Sequence, residues 1–204
     1  TYNERDAIYS YHFYSLILLI CKSQFTNPCC LFWDNKVNNA VVWSKVFKRY
    51  LIHIKENKLR QFNFKFLYNL LPVKKNLLKW RLVNDANCSH CNIEEDVIHA
   101  FITCKLNVSF FKHVKFIIEK IFKERIDFDY KLLFKSDPDD YDLVVIIALW
   151  CVYVSILDRN KTGKDRRNIN LRFVFAREIE KRMEINVASN KETDELPREI
   201  LYYL

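Results

Sequence analysis

Three cysteines and one histidine between positions 88 and 104 have the spacing of metal ligands. They are Cys88, Cys91, His99 and Cys104, in the pattern Cys-x2-Cys-x7-His-x4-Cys. Two thiolates two residues apart can bind one ion from a single tight loop, and a following short helix can add a histidine and a third thiolate to complete a tetrahedron. Because these four ligands leave no position for water, the pattern predicts one structural zinc ion and not a catalytic one.

His90, between the first two cysteines, is an alternative to His99 as the fourth ligand. We favour His99, because His90 would point away from a metal that its flanking cysteines hold. A second alternative is that the four residues only pack as small core side chains. The metal site is favoured because three of the seven cysteines fall within this short segment at ligand spacing.

Aromatic and Leu-Pro motifs accompany the ligands. They are Trp43-Ser-Lys-Val-Phe47, Phe62 to Phe66 with Asn69-Leu-Leu-Pro72, Leu78-Lys-Trp80-Arg81, and Cys88 to Cys104 with Glu95, His99 and Phe101. Over about residues 31 to 123, the chain resembles the zinc-binding domain that follows the polymerase in reverse transcriptases of LINE-type, non-LTR retrotransposons. One difference is Phe110-Phe111, where the family usually has a tryptophan a few residues after the last cysteine.

The resemblance implies a role in RNA-directed DNA synthesis that is primed at a nicked chromosomal target. The zinc domain would help to hold template RNA or target DNA, and its partner within the parent protein would be the upstream polymerase domain. Residues 41–125 would be the zinc-binding domain, and residues 126–204 a C-terminal helical extension with a polar tail. Residues 1–40 would be an apolar helix and loop left from the polymerase connection, and the start at Thr1 without Met suggests a partial chain.

The composition predicts a mainly α protein, with a small helical domain around the zinc site and a helical extension after it. A chain of 204 residues that is 50% hydrophobic can bury one core. One glycine and four prolines argue against the tight hairpins of a many-stranded sheet. The remaining cysteines show no disulfide framework, so we expect an intracellular location, in the cytoplasm or the nucleus.

The spacing of hydrophobic residues predicts four amphipathic helices around the ligands. Their buried faces are Trp43, Val46, Phe47, Tyr50, Leu51 and Ile54; then Leu59, Phe62, Phe66 and Leu70; then Val73, Leu77 and Trp80; then Phe110, Phe111, Val114, Ile117, Ile118 and Ile121. The second segment also alternates like a strand, and the resemblance favours a helix that ends before Pro72. The third helix is expected over about residues 73 to 84, and Asn107 is expected to cap the fourth.

The remaining segments are predicted from apolar runs and turn residues. Residues 8–21 are too short to span a bilayer and are expected to form a buried helix. Asp137 and Pro138 are expected to start a buried helix that contains residues 143–157. The other expectations are an ordered loop over 27–35, a basic connection over 159–172, a helix from Leu171 to about Met183 and a mobile tail over 186–198.

Eleven basic residues and one acidic residue, Glu56, lie between Lys45 and Arg81, which gives this segment a net charge of +10. Such a concentration is typical of a surface that follows a nucleic-acid backbone, whether RNA or DNA. The alternative is that the basic side chains are only solvated helix faces and that the aromatic rings of this segment belong to the core. We favour phosphate contact for the basic side chains and a core position for the aromatic rings. The candidate nucleic-acid-binding residues are Lys45, Lys48, Arg49, Lys58, Arg60, Lys65, Lys74, Lys75, Lys79 and Arg81.

The sequence has no motif of catalysis. It contains no Gly-rich phosphate loop and no Tyr-x-Asp-Asp pair of polymerase carboxylates, and His12, His53 and His113 are isolated. The aspartates at 137, 139, 140 and 142 could bind a cation, but a capping role is favoured at a helix start. We therefore expect a nucleic-acid-binding accessory module that is not an enzyme on its own, with no membrane partner and no small-molecule substrate.

A different class of function is a protein-interaction module without nucleic-acid contact. It would dock onto the polymerase thumb, or it would be a domesticated remnant. An apolar face in place of a basic face beside the zinc loop would favour docking.

Overall fold

The computed structural model describes residues 28–37, 41–126, 133–134, 139–163, 169–189 and 196–204. These residues are mainly helical, as the composition predicts, and their one isolated β-bridge pairs Asn87 with Glu94. The expected helix over residues 8–21 lies outside the described residues.

Seven α-helices and two short helical turns are described. The helices are α1 (Pro28–Val37), α2 (Trp43–His53), α3 (Asn57–Leu67), α4 (Lys74–Lys79), α5 (Lys105–Ile121), α6 (Asp142–Thr162) and α7 (Leu171–Ser189). A π-helical turn (His99–Thr103) precedes α5, and a 3-10 turn (Arg198–Tyr202) lies near the C-terminus.

The central element is α6. It is apolar on all sides, and its buried residues run from Val144 to Arg159. It packs against α3, α5, α7 and the π-helical turn, so it joins the segment with the candidate ligands to the C-terminal part of the chain. The expected core helix is therefore confirmed. No helix in the described part of the chain is long and apolar enough to cross a bilayer.

Aromatic side chains from separate elements form much of the core. Phe62 in α3 lies 6.0 Å from Phe101 of the π-helical turn and 5.2 Å from Tyr153 of α6, measured between ring centroids. The Trp33 indole in α1 donates a hydrogen bond of 2.8 Å to the Leu67 carbonyl. One cluster of buried side chains includes residues on both sides of position 126, while the domain division at that position stays a prediction.

The four amphipathic helices predicted from the sequence are confirmed as helices, but Leu70, expected on a buried face, lies beyond the end of α3 and is 48% exposed. Three other expectations are wrong. Residues 28–37 form a helix where a loop was expected, because Pro28 suits a first helical position. Helix α4 ends at Lys79, earlier than predicted, and Trp80 is 43% exposed where it was expected inside. Asn107 does not cap α5; its buried amide donates to the carbonyls of Ala100 and Phe101, at 2.9 and 3.0 Å.

The C-terminal helices end later in the chain than the sequence predicts. Helix α6 begins at Asp142, after the expected start at residues 137 and 138, which lie outside the described part. It continues to Thr162, through the first residues of the expected connection, and Gly163 ends it in the left-handed region, at φ 67°. Helix α7 reaches Ser189, so helix replaces the first part of the expected tail.

Candidate metal site and basic surface

The four predicted ligands lie together. The ligand atoms of Cys88, Cys91, His99 and Cys104 are all within 4.8 Å of one another, so the group could hold a metal ion. The Cys104 Sγ atom lies 3.9 Å from that of Cys88 and 4.0 Å from that of Cys91. Metal–sulfur bonds of about 2.3 Å in a tetrahedron place sulfurs about 3.8 Å apart, so these separations suit one shared ion. His90 does not belong to the group.

A tight backbone turn presents the first two cysteines. The Cys88 N–H group donates to the Ile93 carbonyl at 2.8 Å, and the Asn92 N–H group donates to the Cys88 carbonyl at 2.9 Å. The turn needs a left-handed residue, and Asn92 supplies it at φ 55°, a conformation that asparagine adopts more readily than most residues. We call residues 86–95, which contain this turn, the metal loop.

The π-helical turn presents the other two ligands. The Asp96 carboxylate accepts the His99 N–H group at 2.7 Å, as an N-cap side chain does. The Cys104 N–H group donates to the His99 carbonyl, five residues back, at 2.9 Å. Packing of Phe101 between Phe62 and Phe66 fixes this turn to α3. The sequence analysis did not use Asp96, although an aspartate just before a short helical run is a cap signal.

A buried ion pair connects the metal loop to α6. Glu95 is fully buried, and its two carboxylate oxygens accept from the Arg159 guanidinium at 2.6 and 2.8 Å. One of these oxygens also accepts the backbone N–H group of Lys74 at 3.1 Å, and Asn160 donates to the Pro72 carbonyl at 2.8 Å. The end of α6 therefore fixes both the metal loop and the start of α4. The sequence analysis assigned no role to Glu95 and placed Arg159 in a connection.

Most of the predicted nucleic-acid-binding side chains are exposed. Those exposed to solvent are Lys45, Lys48, Lys58, Lys65, Lys75, Lys79 and Arg81, while Arg60 and Lys74 are half-buried. The Arg60 guanidinium donates to the Ile54 carbonyl, which orients it along the protein surface.

Arg49 does not lie on this surface. It was expected to contact nucleic acid with Lys45 and Lys48, but its side chain is buried and forms a two-bond ion pair with Asp142 at the start of α6. Burial raises the pKa of the Asp142 carboxyl above its ordinary value, although the hydrogen bonds and charge of Arg49 act in the opposite direction. Arg49 is therefore a structural residue, and Asp142 explains the charge that the sequence left unpaired.

Helix α4 joins the basic segment to the metal loop. The Lys74 ammonium donates to the Asn87 carbonyl at 2.6 Å, and Lys75 forms an exposed ion pair of 2.5 Å with Glu94. Among the described residues, no acidic side chain is within ion-pair distance of Lys79. Lys74 and Lys75 therefore make contacts with the metal loop, whereas Lys79 remains available to a partner.

Several large hydrophobic side chains are exposed in the same region. They are Leu70, Leu78, Trp80, Leu82 and Ile93. The sequence analysis missed this group, because it placed Trp80 and Leu70 on buried helix faces. This part of the chain therefore exposes both basic and apolar side chains.

Comparison with known proteins gives no relative. No family model matches the chain, and no curated protein or solved structure matches it.

Proposed function

We propose that the chain is a zinc-stabilised accessory module that binds nucleic acid. The observation that carries the proposal is the position of the cations: a stretch from residue 57 to residue 84 has seven basic and no acidic residues. The backbone N–H group and the ammonium of Lys74 connect this stretch to the metal loop, through Glu95 and Asn87, and so to the cluster of four candidate ligands. A rigid basic surface of this kind can neutralise several phosphates at once.

Zinc is the metal that suits the four ligands best. Three thiolates and one imidazole are soft or borderline donors, and a tetrahedral arrangement of them is characteristic of structural zinc. Metal analysis of the chain and of variants with each ligand changed to Ser or Ala tests this assignment. We expect one zinc per chain, lost or weakened in every variant. Retention of one tightly bound zinc in all four variants contradicts it.

The resemblance to LINE-type reverse transcriptases extends the proposal. The chain would be the C-terminal part of such a polymerase, where it helps to hold template RNA or target DNA. Catalysis would belong to the upstream domain, so the isolated chain should not extend a primer on a template with Mg2+. Incorporation by the purified chain would overturn the accessory role.

The salt dependence of binding tests the nucleic-acid proposal. Each neutralised phosphate adds about 0.7 to 0.9 to the slope of log K against log salt concentration. Changing Lys58, Lys65 and Lys79 together to Gln should lower that slope by about 2 to 3 for single-stranded RNA or duplex DNA. These three lysines are chosen because they are exposed and, within the described part of the chain, none of them bonds to the metal loop.

A matched triple variant provides the control. Lys112, Lys161 and Lys181 are also exposed but lie outside the basic segment, so their change to Gln should leave the slope almost unaltered. An equal loss of slope in both triple variants would show that only overall charge matters. A flat salt response of the unaltered chain for both ligands would end the proposal.

Docking onto the polymerase is a second candidate. The exposed side chains of Leu70, Leu78, Leu82 and Ile93 favour it, because aliphatic groups beside the metal loop suit a protein partner. Docking predicts weak, nearly salt-independent association with nucleic acid and tight binding to the polymerase portion supplied in trans.

A further inference from the structure

The turn that ends α4 exposes a tryptophan. Trp80 is 43% exposed, whereas Trp33 is fully buried and hydrogen-bonded in the core. An indole ring offers a large flat apolar face, and most tryptophans are largely buried for that reason. The exposed face of Trp80 is therefore available to a partner.

Backbone hydrogen bonds hold this turn in one conformation. The Arg81 N–H group donates to the Leu78 carbonyl and the Leu82 N–H group to the Leu77 carbonyl, both at 2.9 Å. This pair of bonds is the Schellman motif, in which the residue after the cap is left-handed and is usually glycine. Arg81 has that position at φ 59°, so a cation stands where the backbone prefers glycine. Trp80 is thus presented by a fixed turn and not by a free loop.

Positive charge adjoins the ring on both sides along the chain. Lys79 and Arg81 are both exposed, and the nearest acidic residues in the sequence are Glu56 and Asp85. A flat ring between two cations complements a strand that offers bases and phosphates in alternation. A neutral protein partner would use the ring but would leave the two charges without a function.

The metal loop lies close to this turn. Lys75 pairs with Glu94 of the loop, and Trp80 follows Lys75 by five residues. At a rise of about 1.5 Å per residue, Trp80 lies about 7.5 Å farther along the helix axis. A bound strand at Trp80 would therefore lie next to the metal loop, at the C-terminal end of the basic segment.

We propose that Trp80 is a stacking platform for one base of a single-stranded nucleic acid, with Lys79 and Arg81 on the neighbouring phosphates. The inference rests on the proposed nucleic-acid function. It adds that the ligand must be single-stranded, since an unpaired base must be accessible to the ring. Every base has a flat face, so the contact strengthens binding without selecting a sequence. A base within an intact duplex cannot reach the ring.

Two oligomers of equal length test the inference: oligo(dT) and a strand with the same phosphates but only abasic sugars. Stacking on one aromatic residue should make oligo(dT) bind about 5- to 150-fold more tightly than the abasic strand. Trp80→Leu should remove that preference and leave the affinity for the abasic strand unaltered. Trp80→Phe should keep part of the preference, because it retains a ring.

Phe173→Leu is the matched control, since Phe173 is also a strongly exposed ring, at 61%, but lies in α7. It should leave the preference for oligo(dT) intact. Circular dichroism and zinc content establish that each variant is folded. Should Trp80→Leu fail to fold, Trp80→Lys replaces it, and it should raise affinity for the abasic strand while the preference for bases is lost.

The two proposals fail in different ways. If the unaltered chain binds both oligomers with a steep salt dependence, but Trp80→Leu retains the full preference for oligo(dT), the stacking inference is wrong and the proposed function stands. Equal affinity of the unaltered chain for both oligomers also overturns stacking. If the unaltered chain binds neither oligomer, the proposed function itself fails.

Discussion

Glu95 and Arg159 form a buried bidentate ion pair that joins the metal loop to the last turns of α6, 64 residues away in the chain. Their atoms approach to 2.6 and 2.8 Å, and the Glu95 side chain is excluded from solvent. The carboxylate also accepts the first N–H group of α4. One carboxylate therefore sets the relative positions of the metal ligands, the basic helix and the core.

Removal of one partner of this pair should destabilise the fold strongly. Arg159→Leu leaves the Glu95 carboxylate buried without its cation, and such a loss typically costs about 3 to 5 kcal/mol. The double variant with both Glu95→Gln and Arg159→Leu should lose less unfolding free energy than the two single variants lose in sum. In the double variant neither charge is left buried without its partner. Unfolding by denaturant in the presence of zinc measures both.

The exposed pair of Lys75 with Glu94 is the control, because a solvent-exposed ion pair contributes about 0 to 1 kcal/mol. Glu94→Gln should therefore have little effect. A cost for Arg159→Leu as small as that for Glu94→Gln would show that the buried pair does not hold the metal loop.

Removal of the metal should change the reactivity of some cysteines and not of others. Cys88, Cys91 and Cys104 should resist alkylation while they bind zinc and should react after chelation, since the free thiols then reach solvent with the loosened loop. Burial strongly raises the pKa of the Cys151 thiol in α6, so this cysteine should stay protonated and unreactive until the core unfolds.

Peptide mapping by mass spectrometry distinguishes the two groups of cysteines, and hydrogen exchange follows residues 86–105 in parallel. We expect that segment to lose protection before α5 and α6, because most of the core is remote from the metal. Equal alkylation of Cys88 with and without chelator contradicts a bound metal. Alkylation of Cys151 together with Cys88 would mean that the metal holds the entire fold.

Local patterns in the sequence predict the helices, and the grouping of the four candidate ligands, well. The spacing of Phe110, Val114 and Ile117 defines a buried helical face without knowledge of its partner, because the period of the helix alone sets that face. The four candidate ligands lie within one short segment, so their spacing in the sequence is enough to predict that their side chains meet. Both features depend on contacts between residues near in sequence.

The errors have two causes, a partner that is distant in sequence and the exact end of a helix. Arg49 has the helical position of an exposed cation, and only Asp142, 93 residues later, makes it a buried one. Trp80 continues the apolar spacing of α4, but the helix ends before it, and no local rule predicts that Arg81 adopts a left-handed conformation. A remote contact therefore buries Arg49, whereas the end of α4 leaves Trp80 on the surface.

Acid should weaken the fold through His113. Burial and the nearby charge of Arg172 lower the pKa of His113 below its ordinary value of 6.5. The folded state therefore favours the neutral ring, so this contribution to stability is full above pH 6.5. It is lost as the pH falls from 6.5 to the lowered pKa of the folded state, because the unfolded chain binds the proton more tightly.

His113→Gln should remove this part of the pH dependence. The measurement is the difference in unfolding free energy between the unaltered chain and the variant at several pH values from 5 to 8. Taking this difference cancels any effect of acid on the candidate metal site, because both proteins share that site. Arg172→Gln should reduce the difference, since one of its two causes is then absent. Parallel pH profiles for the unaltered chain and His113→Gln would contradict the lowered pKa.

Arg81→Gly should separate stability from binding. The left-handed conformation at φ 59° costs a residue with a side chain about 1 kcal/mol relative to glycine, so the variant should be more stable by up to that amount. It also loses a cation of the basic segment, and the slope of log K against log salt should fall by about 0.7 to 0.9.

Lys123→Gly is the matched variant, because Lys123 follows α5 with the same φ of 59° but lies outside the basic segment. It should gain similar stability and keep the full slope for nucleic acid. A loss of slope in Lys123→Gly equal to that in Arg81→Gly would place the binding surface elsewhere. A gain in stability without any change of slope in Arg81→Gly would show that Arg81 contacts no phosphate. Nucleic-acid binding would then not explain why an arginine occupies a position that favours glycine.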